Sequence, residues 1–206
     1  MSNRSTRGDI VAVADDLFYR RGFEHTSFAD IAEHVKISRG NFYHHFKTKD
    51  DILDAVIQKR LDDRNAMLER WEIEGETPVD RISSFIDILI VNGEKIKLYG
   101  CPIGTLTSEL AKLNHAAREN AGRLFMLFRI WLRRQFVELG READADALAM
   151  HLLSRSQGAA TLFNAFQDEN FVQREVYQMK NWMKEVAAEA PNRIGDKRPL
   201  HEPMDG

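Results

Sequence analysis

An all-helical chain is predicted from three observations. Apolar residues recur at three- and four-residue steps along most of the sequence. No stretch shows the two-residue alternation that a strand requires. Between Ser27 and Phe46, two short apolar runs flank a break too tight for anything but two crossed helices. At 206 residues the chain can bury one substantial core or two small ones. With 43% hydrophobic and 30% charged residues the composition is that of an ordinary globular protein. No apolar run is long enough to span a membrane and the first residues hold no signal-peptide core, so a cytoplasmic location is expected. The single Cys101 excludes an intramolecular disulfide and a thiolate-rich metal site. No cofactor is expected.

The first seven residues are polar and expected to be mobile, with Arg4 and Arg7 able to reach a phosphate. A helix over about 9–21 puts Ile10, Ala14, Leu17 and Phe18 on one face and stops at Gly22. The next carries Phe28, Ile31, Ala32 and Val35, and Ser27 with Asp30 has the spacing of a capping box. A third starts at Ser38, a good N-cap, and buries Phe42 and Phe46 one turn apart. Asn41, Tyr43, His44 and His45 then face away, on a helix short enough for a major groove. The net charge of −3 argues against a nucleic-acid partner only until its distribution is read. From His34 to Lys49 there is no acidic residue, whereas Lys36, Arg39, Lys47 and Lys49 are basic.

The segment Asp15 to Leu53, DDLFYRRGFEHTSFADIAEHVKISRGNFYHHFKTKDDIL, resembles the TetR-type (tetracycline-repressor-like) bacterial transcription regulators. Gly22-Phe23, Ile31-Ala32, Tyr43, Phe46 and Lys49 are occupied as that family has them. Two positions depart from it. Lys36 stands where the family usually has Gly, at a cost of roughly 1 kcal/mol if the backbone is left-handed there. Phe28-Ala29 stands where some members place a base-reading Arg, so readout is expected from the second helix of the pair. The resemblance implies a helix-turn-helix DNA-binding domain over 1–46, a connecting fourth helix over 49–71, and a ligand-binding and dimerisation domain over 47–190. It also implies a homodimer on a double-stranded DNA operator, answering to a small-molecule effector. Base edges are assigned to Arg39, Asn41 and His44, and phosphates to Ser27, Tyr43, Lys47 and Lys49.

Beyond Lys49, Ile52, Leu53, Val56, Ile57 and Leu61 continue a helical face to about Trp71. Gly75 to Pro78 breaks it. A nearly all-apolar helix follows from Val79, carrying Ile82, Phe85, Ile86, Leu89 and Ile90. Gly100 can end one helix and Pro102 can open the next. Asn114 is read as the cap of a long helix to about Leu139, Gly140 as its stop, and Asp144 as the start of a helix to about Phe166. A last helix is expected over about 171–188, and the tail 191–206 is expected to be disordered. For an effector, candidate walls are Phe85, Leu89, Phe125, Phe128, Trp131 and Phe163, with Gln157, Thr161 and Asn164 as polar partners. The same aromatics at helical spacing also suit plain core. Cys101, in a segment that looks like the GCP element of one branch of the family, is either a thiol at a helix start or a small buried hydrophobe.

A dimer seam is drawn by Val172, Val176, Met179, Met183 and Val186 at alternating steps of four and three. Ala145, Leu148, Ala149, Leu152, Ser156, Ala159 and Phe163 add a comparable face on the helix before it. Both faces could instead close on the subunit's own core. An enzyme finds little support: the seven His show no H-x-x-x-H pair, and no glycine-rich phosphate loop is present. The alternatives are a helical ligand carrier or enzyme that retains the helix-turn-helix, or an activator.

Overall fold

The computed structural model describes residues 6–189, so the expectations for Arg4 and for the tail from 191 lie outside the described residues. Among those residues every regular element is a helix: α1 Thr6–Arg21, α2 Phe28–Val35, α3 Arg39–His45, α4 Lys49–Glu74, α5 Pro78–Val91, α6 Gly93–Tyr99, α7 Pro102–Lys112, α8 Arg118–Glu138, α9 Ala145–Phe166 and α10 Glu169–Ala188.

Local chemistry explains most of the boundaries. Ser27 Oγ accepts the Asp30 N–H at 3.0 Å while the Asp30 carboxylate accepts the Ser27 N–H at 2.7 Å, closing the expected box at the start of α2. Thr48 with Asp51 and Thr77 with Asp80 repeat the device at α4 and α5, and Pro78 occupies the first turn of α5. α2 ends on Lys36 at φ 57°, ψ 42°, so the left-handed strain that Gly would relieve is present.

Three expectations are corrected. α1 begins at Thr6, and the Arg7 guanidinium lies 4.8 Å from the centre of the Phe46 ring, so Arg7 packs on the domain and is not part of a mobile arm. The helix from Val79 breaks at Asn92 into α5 and α6. Asn114, at φ 49°, closes α7: the His115 N–H returns to the Leu110 carbonyl at 2.9 Å, and α8 starts only at Arg118. α9 follows Asp144 and ends at Phe166 as expected, although Asp144 gives it no side-chain cap: both carboxylate oxygens are taken by Arg141, at 2.5 and 3.2 Å.

α1 packs on α2 and α4, and Ile10, Leu17, Phe18, Ile31, Phe42, Phe46, Ile52 and Leu53 form the core beneath the helix-turn-helix. α4 runs on from this core to pack on α5 and α8. The body is closed by α8 on α9 and by α10 on α5 and α9. This last packing overturns the expected dimer seam. Val172, Val176, Met179, Met183 and Val186 are at most 7% exposed within one subunit, and Ala145, Ala149, Leu152, Ser156, Ala159 and Phe163 at most 5%. Leu148 is half-buried against the same core. A side chain already removed from water has no area left to offer a partner, so these faces hold α10 to its own subunit.

Candidate functional site

α3 is positioned from below. Phe42 and Phe46 are buried, and the Phe28 ring meets Phe42 edge-on at 4.6 Å and Tyr43 at 5.1 Å. With one face fixed, Gly40, Asn41, Tyr43 and His44 are left exposed, Tyr43 by 51%. Nothing lies within 4 Å of a Cβ placed on Gly40, so a surface can approach the backbone there closely. Arg39 opens α3, but its side chain lies outside the described residues. Lys47 Nζ donates to the Tyr43 carbonyl at 2.5 Å, which holds the ammonium beside the end of α3. Ser27 is exposed, with its hydroxyl engaged by Asp30.

Lys49, assigned to a phosphate, is half-buried and turns its ammonium toward the α1–α2 turn. Its ammonium donates to the Phe23 carbonyl at 2.9 Å and stands 4.1 Å from the centre of the Phe23 ring. The carbonyl and the ring face together hold the cation inward. Lys49 therefore braces the α1–α2 turn.

The other side of that turn is held by α7. The Glu109 carboxylate accepts the N–H groups of Phe23 and Glu24, each at 2.9 Å. Gly22 is favoured here by its φ of +89°, which L side chains rarely adopt, and a Cβ would also come within 2.8 Å of Glu109 Oε1. The start of α7 is tied to the same domain. Tyr19 Oη donates to the Gly100 carbonyl at 2.8 Å, and Arg60 Nη1 donates to the Pro102 carbonyl at 2.6 Å while its Nε binds Asp15 at 2.7 Å. Burial first of all pushes the Tyr19 phenol up to about 12, keeping it a neutral donor. Beyond α7, the His115 ring packs edge-on against Phe23 at 5.1 Å.

Behind α7 lies a largely apolar cavity with about 60 Å³ of open room. Six of the expected effector residues line it: Phe85, Leu89, Cys101, Phe125, Phe128 and Gln157. Thr161 and Asn164 lie instead on an outer groove that shares Cys101, Phe125 and Gln157 with the cavity, and Asn164 Nδ2 is bound to the Lys97 carbonyl at 2.9 Å. Trp131 and Phe163 are buried core away from the cavity wall, Trp131 against Trp71 at 5.6 Å. Sequence reasoning missed Arg64, Asn92 and Ile103, which line the cavity, and placed Ser156 at a dimer seam although it forms part of the cavity wall. The break at Asn92 was the one available signal; a single Arg on a long charged helix carries none. Cys101 Sγ accepts the Gly104 N–H at 3.5 Å, and the thiol is half-buried.

Residues 10–56 match the bacterial regulatory proteins of the tetR family, and residues 78–175 match the C-terminal domain of LmrA/YxaF-like transcriptional regulators. An uncharacterized HTH-type transcriptional regulator of Lactococcus lactis is 27% identical over 89% of this chain and 95% of its own length. The HTH-type transcriptional repressor DhaR of a Mycobacterium species is 25% identical over 77% of this chain and 82% of its own. A TetR transcriptional regulator from Legionella pneumophila has the same fold, with a TM-score of 0.78 and 26% identity, over 88% of this chain and 99% of that one. Joined to the capped α2–α3 pair and its exposed polar face, these matches settle the assignment: the chain belongs to the TetR family of DNA-binding bacterial transcriptional regulators.

Proposed function

We propose that the protein is an effector-responsive repressor that binds a palindromic operator as a homodimer, with α3 in the major groove and the cavity behind α7 as the effector site. The observation that carries the effector reading is α7 itself. Its first residues wall the cavity, and Glu109, two turns on, grips the backbone just before the helix-turn-helix. A ligand that displaces α7 moves the α1–α2 turn with it. In a dimer this changes the spacing of two reading heads, and an effector then shifts the population toward a spacing the operator does not fit. By this reading Asn41 and His44 meet base edges, Tyr43 and Lys47 meet phosphates, and Lys49 acts through the turn it braces.

The second copy is expected on the outer face of α8 and α9. Met126, Ile130, Met150 and Leu162 are between 41 and 61% exposed there. Gly122 and Gly158 interrupt two exposed helix surfaces with open space at their Cβ positions. Glycine inside a helix costs about 1 kcal/mol relative to Ala, and close approach of a partner helix is a physical reason to keep it.

The test is an operator titration at several salt concentrations, with and without effector. A palindromic site should bind with a steep salt dependence, as Lys47 and its neighbours release counterions. Linkage requires that saturating operator weaken the effector by the same factor by which the effector weakens operator. An effector whose affinity is indifferent to operator would rule the mechanism out.

A further inference from the structure

Arg64 lies on α4, half-buried, where the apolar cavity meets an outer polar cleft. The acids around that cleft are already engaged. Asp15 is held by Arg60 at 2.7 Å and by Lys59 at 3.1 Å, Asp63 by Lys59 at 2.7 Å, and Asp16 by Arg20 at 3.0 Å. Among the described residues none gives the Arg64 guanidinium a hydrogen bond or an ion pair. Among the described residues it is the only charged side chain on the cavity wall. Asn92 borders the same mouth and makes no side-chain capping bond.

A guanidinium partly withdrawn from water and left unpaired beside an apolar space is a cation short of a partner. We propose that the cavity recognises a small aromatic carboxylate, with its ring among Phe85, Leu89, Ile103 and Phe128 and its carboxylate on Arg64. This rests on the effector reading above. Carboxylate geometry matches the two-pronged guanidinium, and Asn92 can donate to the same oxygens. Lipophilic cations are disfavoured, because they would bring a second positive charge to a wall with no acid. About 60 Å³ of room admits little more than part of a ring, so the ligand must part α7 from α4 and α5 as it enters. That displacement is the one the Glu109 contact would carry to the reading head.

The experiment is isothermal titration of the full chain, without DNA, using three compounds of matched shape: 3-phenylpropionate, 3-phenylpropionamide and 2-phenylethyl-trimethylammonium. The carboxylate should bind about ten- to hundred-fold tighter than the amide, as expected of a charge-assisted pair, and the cation weakest. Arg64→Gln should bring the carboxylate down to the level of the amide, whereas Arg64→Lys should keep the preference. The proposal is overturned if carboxylate and amide bind alike, if the preference survives Arg64→Gln, or if none of the three binds up to its solubility limit. Operator release is measured separately. Carboxylate binding without release supports the assignment of Arg64 and counts against the repressor mechanism. Release by an uncharged or cationic compound while the carboxylate fails to bind does the reverse.

Discussion

Two hydrogen bonds give Glu109 a role that its position in the sequence does not announce. Replacing it with Ala would leave the Phe23 and Glu24 N–H groups without their acceptor, so we expect a loss of about 1–3 kcal/mol in a denaturant titration. It should also shrink the effector's influence on operator binding, read as the ratio of operator affinities with and without ligand. At the reading surface, Asn41→Ala should relax preference at one base position by roughly 1–3 kcal/mol, whereas Lys47→Ala should weaken every sequence about equally. Identical losses on all sequences for both variants would sink the base-reading assignment. Tyr19 offers a pH test. Its phenol is raised to about 12, so its contribution is whole below the ordinary phenol range near 10 and is lost as pH rises through the raised value. Tyr19→Phe should lower stability by about 1 kcal/mol at neutral pH and remove that alkaline loss.

Among the elements, α2, α4 and α5 share one acid-sensitive design. The Ser27 hydroxyl and N–H hold Asp30 below the usual carboxylate range, the Thr48 N–H and hydroxyl do so for Asp51, and the Thr77 hydroxyl and N–H for Asp80. A depressed carboxyl contributes fully above its ordinary value and loses that contribution as pH falls through the depressed one. Hydrogen exchange should therefore show the first turns of these three helices opening together in acid, and Asp51→Asn should make the α4 turn indifferent to pH over the same window. The box at α2 was read from the sequence because both partners lie within three residues; the same spacing at Thr48–Asp51 and Thr77–Asp80 was there to be read and was passed over. Gly140 was legible for the same reason, as a stop that needs φ +88°. Asn114 misled because Asn suits both a helix start and a left-handed helix end, and only the position of Leu110 beneath it decides which. The contact Lys49 makes was not legible either, because Phe23, which supplies its ring and carbonyl, lies far away in sequence.

Over the whole molecule, periodicity told that the face of α10 is buried and could not tell by whom. Val176 and Met183 look the same in sequence whether they meet α5 and α9 of their own chain or a second copy. The cavity was half legible: aromatics could be named as walls, but Arg64 on α4 and Ser156 on α9 meet at it only in the folded chain. The dimer face proposed on α8 and α9 gives a sharp contrast. Gly158→Glu should yield a folded subunit that light scattering finds monomeric and that loses operator affinity steeply. Gly158→Ala should raise subunit stability by up to about 1 kcal/mol while weakening the dimer. Ala159→Glu, one residue on, should unfold the subunit itself, since Ala159 is 4% exposed within its own chain. If Gly158→Glu stays dimeric and binds operator as before, the outer face of α8 and α9 is not the interface.

Because α10 is buried against α5 and α9 of its own subunit, the proposed dimer need not form before α10 is packed. Pairing then becomes a mass-action step between finished units, and two-fold operator occupancy should rise with roughly the square of cellular copy number while protein is scarce. On the proposed reading, the regulator would respond to its own dosage as well as to an effector. Mixed pairs would also form by simple exchange when tagged and untagged chains are incubated together in native buffer.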